Sequence, residues 1–213
     1  MSRYESLLKF VGKEVPASSV LSIDLETLIR KDGGFLTGER IIAFSCSYGL
    51  PEVKTEVFIA EDDSGQEEMR ILKEADNLVR SIDPSVIIGY NHSGYDIPLI
   101  QTKIKKYTYQ NKLRALEYYF GTAWCLDMMF VITEDLGKDD GDYHVRKLDD
   151  VVNHERYAHL PLTRAKSLVR IGGMTKGEAI EHLWKNDLQS FTEYCIGDTR
   201  DLLLIFNGIV YGQ

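Results

Sequence analysis

Three stretches between residues 20 and 60 have the composition of β-strands and are separated only by short, glycine-containing breaks. Apolar and polar residues alternate from Val20 to Glu26, and strand-forming residues recur from Arg40 to Tyr48 and from Val53 to Ala60. Strands that follow one another through short connections usually pair with their chain neighbours. This part of the sequence therefore predicts a three-stranded antiparallel meander.

Helical and strand-like segments alternate after the meander. Gln66 to Ser81 has apolar residues at helical spacing, and Ser85 to Gly89 is a short apolar run typical of a strand buried on both faces. A helix is predicted from near Asp96 to beyond Lys105, and a last short strand from Trp124 to Leu126. The order predicts an α/β fold with a mixed central sheet, in which three antiparallel strands and additional parallel strands are flanked by helices.

The remaining segments are predicted to be helical, apart from one loop. A short helix leads the chain from Ser2 to Val11, and the last helix runs from about Asp187 to about Phe206. Gly137 to Asp142 is rich in glycine and acid, and this composition predicts a mobile loop. No shift in composition marks a linker, so residues 1–213 are expected to form a single domain.

The composition argues against several classes of protein. The formal net charge of −8 disfavours a protein that coats nucleic acid non-specifically, but it does not exclude an enzyme that binds one strand end. The sequence shows no signal-peptide pattern and no apolar run of bilayer length, so we expect a cytoplasmic protein without a membrane anchor. The three cysteines form no C-x-x-C motif, so neither a disulfide framework nor a zinc site is predicted.

Two basic stretches contain no acidic residue. The first, residues 101–116, includes Lys105 and Lys106, and the second, residues 161–177, includes Lys166 and Lys176. Each stretch is either a phosphate contact or a solvated basic face, and the sequence alone does not separate these two interpretations. We take Lys105 and Lys106 as candidate substrate contacts.

Asp24 and Glu26 place two carboxylates in an otherwise apolar strand. A spacing of two residues puts both side chains on the same face of the strand. Like charges in a central strand are costly unless a cation compensates them, and a divalent metal ion is the simplest candidate. The alternative is an exposed edge strand with a polar face.

Two further acids occupy positions at which a site could form. Asp96 follows the turn after the buried strand that ends at Gly89, and it is either a site residue at a strand end or a plain helix N-cap. Tyr194 and Asp198 lie four residues apart in the last helix and therefore share one of its faces. Asp198 is alternatively a surface acid paired with Arg200.

Taken in order, these segments resemble the three exonuclease motifs of the DEDD superfamily. Asp24-Leu25-Glu26-Thr27 resembles the first motif, and Asn91 to Asp96 resembles the second, in the form found in the proofreading domain of family B DNA polymerases. Tyr194 to Asp198 resembles the third motif, Tyr-x-x-x-Asp, and Glu193 stands where the histidine subclass would have a histidine. The resemblance therefore indicates the tyrosine subclass. It spans about residues 19–205 and implies a ribonuclease-H-like fold.

The resemblance implies a 3′→5′ exonuclease that uses two metal ions. Asp24 would bridge two divalent cations, Mg²⁺ or Mn²⁺. Glu26 and Asp198 would complete the shell of the first ion, and Asp96 would hold the second. Tyr194 would orient the attacking water, and a nucleoside 5′-monophosphate would leave. The candidate substrate-binding residues are Asn91, Thr27 and Tyr95, together with Lys105 and Lys106.

The sequence also departs from the family B polymerases. It continues into neither a palm nor a fingers segment, so we expect a nuclease that acts on single-stranded DNA 3′ ends alone or with a replication or repair protein. Tyr95 stands where phenylalanine is common. Two alternatives remain open: an RNA 3′→5′ exonuclease of the same superfamily, and a non-catalytic nucleic-acid-binding adaptor that keeps this fold.

Overall fold

A computed structural model of the chain describes residues 3–29, 34, 36–109, 112–141 and 143–212. Five strands form one sheet: β1 (Val20–Ile29), β2 (Glu39–Tyr48), β3 (Lys54–Ile59), β4 (Val86–Gly89) and β5 (Trp124–Asp127). Their order across the sheet is β3-β2-β1-β4-β5. β2 runs antiparallel to both β1 and β3, whereas β4 runs parallel to both β1 and β5. The predicted mixed sheet is confirmed, and β1 lies at its centre.

Helices cover both faces of the sheet. They are α1 (Arg3–Glu14), α2 (Gly65–Ile82), α3 (Asp96–Tyr107), α4 (Arg114–Thr122), α5 (Met128–Asp140), α6 (Leu148–Val152), α7 (Lys176–Asn186) and α8 (Leu188–Tyr211). One core, which includes Leu21, Ile23 and Leu25 of β1, packs against α2, α3 and α4. The opposite face is covered mainly by α5, α7 and α8. The polar residues of β1 therefore face α8.

A buried ion-pair network fixes α3 against α2 and β2. The Glu68 carboxylate is fully buried and lies 2.7 Å from the Lys103 ammonium and 2.8 Å from the Arg40 guanidinium. It also accepts a hydrogen bond from the backbone N–H of Ile41 at 3.0 Å. A buried carboxylate is tolerated when charged donors surround it in this way. Lys103 is therefore a buried structural residue, and neither of the two interpretations left open for its basic stretch, a phosphate contact or a solvated face, applies to it.

The prediction of a mobile loop at Gly137 to Asp142 is wrong over most of its length, because α5 continues through Asp140. Residue 142 lies outside the described residues. Gly137 packs against the ring of Tyr143, and a Cβ atom at this position would come within 2.4 Å of that ring. The glycine that suggested flexibility instead permits a close contact between a helix and an aromatic side chain.

No helix among the described residues is long and apolar enough to cross a bilayer.

Candidate active site

Three carboxylates meet on the face of β1 that α8 covers. Asp24 and Glu26 project from this face, and Asp198 reaches it from α8, so that one oxygen of each lies within 4.8 Å of the others. A β-bulge between Glu26 and Thr27 ends the regular alternation immediately after the second acid. Glu26 and Asp198 are both buried. The acids therefore lie at the centre of the sheet and not on an exposed edge strand.

Asp96 lies beside this cluster. It is the first residue of α3, it is buried, and it lines the same cavity as Asp24 and Glu26. Burial, and then the charge of Glu26, raise the pKa of Asp96 to about 7. The N-cap position of α3 is occupied by Tyr95, so Asp96 does not serve as the plain N-cap that the sequence left open.

The electrostatics of the cluster favour a bound cation. Burial, and then the charge of Asp198, raise the pKa of Asp24 well above its ordinary value, and burial also raises the pKa of Glu26. Among the described residues, Asp24 Oδ2 and Asp198 Oδ1 are buried oxygens to which no side chain or backbone group donates a hydrogen bond. Buried acceptors of this kind are costly unless they bind a cation or water.

Tyr194 and Lys166 complete the centre of the site. Tyr194 lies on α8 one turn before Asp198, and its side chain is fully buried. The Lys166 ammonium donates to the Tyr194 hydroxyl at 3.0 Å and forms an ion pair with Asp198. Burial lowers the pKa of Lys166, but the nearby carboxylates, Asp198 above all, outweigh burial and raise that pKa. Sequence reasoning placed Lys166 in a basic stretch without bringing it to Tyr194.

Asp127 anchors the loop of the second motif. This residue ends β5, and its carboxylate accepts hydrogen bonds from the backbone N–H groups of Asn91 at 2.8 Å and Ser93 at 3.2 Å, and from the Ser93 hydroxyl. Asn91 has a positive φ of 59°, so the turn depends on such support. Sequence reasoning missed Asp127. The available signal was an acid at the end of a parallel strand, next to the end of β4.

Thr27 and Tyr95 line the cavity that contains Asp24, and their hydroxyls are hydrogen-bonded to each other. The Tyr95 hydroxyl lies 2.7 Å from the Thr27 hydroxyl and donates to the Glu39 carboxylate at 2.6 Å. Tyr95 therefore has a hydrogen-bonded hydroxyl at the position where the related polymerases commonly carry phenylalanine. Its ring is held in place by partners on β1 and β2.

The structure does not bring Lys105 and Lys106 to the carboxylates. They lie nine and ten residues after Asp96 on α3, which corresponds to about 14 Å along the helix. Neither is among the described residues that line the cavities at the site. The Lys106 ammonium lies 3.4 Å from Glu68. Their role as contacts for a longer strand stays a prediction.

Asp24 lies where two cavities meet. We name the first, of about 410 Å³, the acidic chamber, because its walls include Glu26, Asp96, Glu178 and Glu181. We name the second, of about 880 Å³, the basic chamber, because its walls include Arg146, Lys147, Lys166 and Arg170. The residues that line both chambers are Asp24, Tyr90, Asn91 and Lys176.

A mixed five-stranded sheet in this order, with helices on both faces and carboxylates gathered on its central strand, defines a ribonuclease-H-like fold of the exonuclease type. Among solved structures, the chain is similar to the family B DNA polymerase from the hyperthermophilic archaeon Pyrobaculum calidifontis, with 21% sequence identity and a TM-score of 0.63. The similarity covers 89% of this chain but only 24% of the polymerase. This chain therefore corresponds to about a quarter of that protein.

The sequence match is more specific than the structural one. The model of the exonuclease domain of DNA polymerase family B matches residues 2–119, and the chain belongs to this family. The matched region contains Asp24, Glu26 and Asp96, and it ends before Tyr194 and Asp198. No curated protein matches the sequence significantly.

Proposed function

We propose that this chain is a metal-dependent 3′→5′ exonuclease of the tyrosine subclass, which removes nucleoside 5′-monophosphates from single-stranded DNA ends. The observation that carries the proposal is the meeting of Asp24, Glu26 and Asp198 within 4.8 Å, beside the buried Tyr194. Membership of a family of exonuclease domains supports the same activity. All of these side chains come from one chain, so hydrolysis does not require a residue from a polymerase domain.

The residues of the site suit hard divalent cations such as Mg²⁺ or Mn²⁺. Their donor set is made entirely of carboxylate oxygens, which these ions prefer. Asp24 Oδ2 and Asp198 Oδ1 are buried and accept no hydrogen bond within the described part of the chain. Asp24, Glu26, Asp198 and Asp96 would hold the ions. Two bound cations stabilise the attacking and leaving oxygens of an in-line displacement at phosphorus.

The protein's own groups position the reactants. The Tyr194 hydroxyl lies beside Glu26 and Asp198, where it can orient a water molecule towards the phosphorus atom. Lys166 and Lys176 place positive charge next to the same point, where a scissile phosphate needs it. Asn91 lies where the two chambers join and can hold the backbone of the strand.

The charge of the two chambers supports cleavage at a 3′ end. A strand carries a phosphate at each step, so its body suits the basic chamber with Arg146, Lys147 and Arg170. A terminal nucleoside with a free 3′ hydroxyl carries no further phosphate, so it can enter the acidic chamber, where Thr27 and Tyr95 form part of the wall. In a strand bound in this way, the last phosphodiester bond would lie at the carboxylates.

The test is incubation of the protein with end-labelled single- and double-stranded DNA and RNA, in Mg²⁺, Mn²⁺ or EDTA. We expect a ladder of shortening products from 5′-labelled single-stranded DNA, and mononucleotide from the 3′ label, in either metal but not in EDTA. Asp24→Ala protein prepared in parallel is the control for contaminating nucleases. Degradation that starts at the 5′ end, or that persists equally in EDTA, contradicts the proposal.

A further inference from the structure

Asp201 is a buried acid on α8 that the proposed chemistry does not use. It lies three residues after Asp198, and its side chain is only 3% exposed. One carboxylate oxygen accepts a hydrogen bond from the backbone N–H of Thr163 at 2.8 Å. The other accepts from the Thr163 hydroxyl at 2.9 Å and from the backbone N–H of Arg164 at 3.0 Å. Apart from an ion pair with its neighbour Arg200 at 3.7 Å, the described contacts of this carboxylate are all with one short turn of the chain.

This turn needs external support to keep its shape. Arg164 has φ 55° and ψ 31°, a left-handed conformation that a residue with a side chain adopts at a cost. The Asp201 carboxylate accepts a hydrogen bond from the backbone N–H of this residue. The turn also approaches α8 closely, because a Cβ atom on Gly197 would come within 2.7 Å of Ala165 and 2.8 Å of the Thr163 hydroxyl. Gly197 and Asp201 thus hold the turn against one face of the helix.

The turn leads directly to Lys166. This residue lies in the 3-10 helix Ala165–Val169, two positions after Arg164, and its ammonium contacts Tyr194 and Asp198. Lysine has a long, flexible side chain whose ammonium normally remains in water. The burial of the Lys166 ammonium therefore depends on the position at which the backbone of this residue is held. Tyr194, Asp198 and Asp201 are all on α8, so one helix both carries the third motif and fixes the segment that delivers the lysine.

We propose that Asp201 is a positioning residue, which fixes the Thr163–Arg164 turn and thereby holds the Lys166 ammonium against Tyr194 and Asp198. The inference rests on the proposed function for its catalytic consequence, but the placement of Lys166 can be measured without activity. The described contacts of Asp201 are with Thr163, Arg164 and Arg200, so its effect on the site passes through the turn that leads to Lys166.

The direct test measures how readily Lys166 reacts with an amine-acylating reagent, read by mass spectrometry of the folded, metal-free protein. The Lys166 side chain is 16% exposed and ion-paired in the native protein, so acylation should be slow. Asp201→Asn keeps the size of the side chain, but it replaces one accepting oxygen with an NH₂ group. This group would face the N–H and hydroxyl donors of Thr163 and Arg164. We expect Lys166 to be acylated about tenfold faster in this variant, the factor that corresponds to one lost hydrogen bond to a charged group.

The matched control is Asp76→Asn. Asp76 is also a buried carboxylate that accepts two backbone N–H groups, from Ala115 at 2.8 Å and Leu116 at 2.9 Å, but it lies on α2 across the sheet. This variant should lower the melting temperature and leave the acylation of Lys166 unchanged. Thr163→Val removes the hydroxyl bond to Asp201, together with the longer bond that the Ala165 N–H donates to the same hydroxyl at 3.4 Å. It keeps both backbone bonds to Asp201 and provides a milder test, with a smaller increase in acylation, if Asp201→Asn does not fold. Unchanged acylation in the folded variants, or an equal rise in Asp76→Asn, overturns the proposal.

A double-mutant cycle on the single-turnover cleavage rate then tests the functional consequence. Asp201→Asn and Lys166→Met should each slow cleavage by roughly 10- to 100-fold, as expected for a displaced charged group at a reaction centre. Because Asp201 acts through Lys166, the double variant should be no slower than the slower single variant. Losses that multiply would contradict the coupling. If the native protein cleaves no substrate, the proposed function fails, whereas acylation still decides whether Asp201 positions Lys166.

Discussion

Asp24 lies among other carboxylates on the central strand, and this position decides what its removal does. Asp24→Ala removes a ligand at the centre of the proposed metal site, so cleavage should fall to the background level. The same change relieves repulsion from Asp198 and Glu26. In EDTA, the melting temperature should therefore stay the same or rise. Purified variant protein that cleaves at a near-native rate would rule out the assignment of Asp24 as a metal ligand.

Tyr194 is proposed to orient water and not to bind metal. Tyr194→Phe keeps the packing of the ring but removes the hydroxyl that receives the Lys166 hydrogen bond. We expect the single-turnover rate to fall by about 10²-fold, the usual magnitude for a positioned group that takes part in proton transfer. Mn²⁺ affinity, measured by calorimetry, should change little. An unchanged rate would leave Tyr194 as a packing residue only.

Asp96 makes the stability of the metal-free protein depend on pH. Its pKa rises from 3.8 to about 7 on folding, so between these values the unfolded chain is ionised while the folded protein keeps the proton. The unfolded state therefore binds fewer protons, and the free energy of unfolding falls as the pH rises from about 4 to about 7. Asp96→Asn should flatten this part of the melting-temperature profile in EDTA. Parallel profiles for the native and variant proteins would contradict this.

The acids of the site could be predicted from sequence because each stands at a local position with a definite meaning. Asp24 and Glu26 share a strand face, and Tyr194 and Asp198 share a helix face, whatever the rest of the chain does. Lys166 and Asp201 could not be predicted in this way. The contact of Lys166 with the site, and that of Asp201 with the turn before Lys166, depend on a turn docking on α8 from more than 25 residues away along the chain. The spacing of residues within a single strand or helix does not indicate such a contact.

The loop between β4 and α3 carries Asn91 and leads to Asp96, and Asp127 at the end of β5 holds it. Asp127→Asn turns one of the acceptors of this carboxylate into a donor that faces the backbone N–H groups. We expect a loss of about 1–3 kcal/mol in the free energy of unfolding, together with slower cleavage. Hydrogen exchange should become faster at residues 91–93 and stay unchanged at the Glu68 network. A loss of stability with native exchange in the loop would show that Asp127 supports only β5 and α5.

The secondary structure elements followed from the sequence where periodicity was strong, and the error at Gly137 has a physical cause. β1 and β4 carry apolar residues typical of strands, and α2 buries one face at helical spacing. Glycine and acid at the end of α5 are weak helix formers, so local composition favoured a loop. The helix nevertheless continues to Asp140, and Gly141 ends it in a left-handed conformation with its N–H bonded to the Gly137 carbonyl, so the second glycine is a C-cap and not a sign of a loop.

The whole molecule carries a formal net charge of −8, yet its site joins a basic chamber to an acidic one. This net charge predicts weak long-range attraction to nucleic acid, so the proposed strand would be bound by local contacts in the basic chamber. The two chambers differ in charge because different segments line them beside Asp24. The segment between α6 and α7 lines the basic chamber, and the first turns of α7 line the acidic chamber. A charged group on the 3′ end of a strand, in the acidic chamber, should therefore affect cleavage differently from one on the 5′ end.

A phosphate on the 3′ end of the strand should block cleavage. It would enter the acidic chamber, near Glu178 and Glu181, whose carboxylates bind no proposed cation and repel a second negative charge. We expect 3′-phosphorylated single-stranded DNA to be degraded at least about tenfold more slowly than the same strand with a 3′ hydroxyl. A 5′ phosphate should have no effect, because that end lies beyond the basic chamber.

The paired variant Glu178→Gln with Glu181→Gln separates this repulsion from a simple requirement for a 3′ hydroxyl. Both acids lie on α7, outside the carboxylate cluster, so cleavage of the unmodified strand should remain near the native rate. Discrimination against the 3′ phosphate should weaken in this variant and at high salt, because exposed charges are screened. Equal cleavage of both strands by the native protein would show that the terminal nucleoside does not enter the acidic chamber, and cuts within a closed circular strand would exclude an end-dependent nuclease.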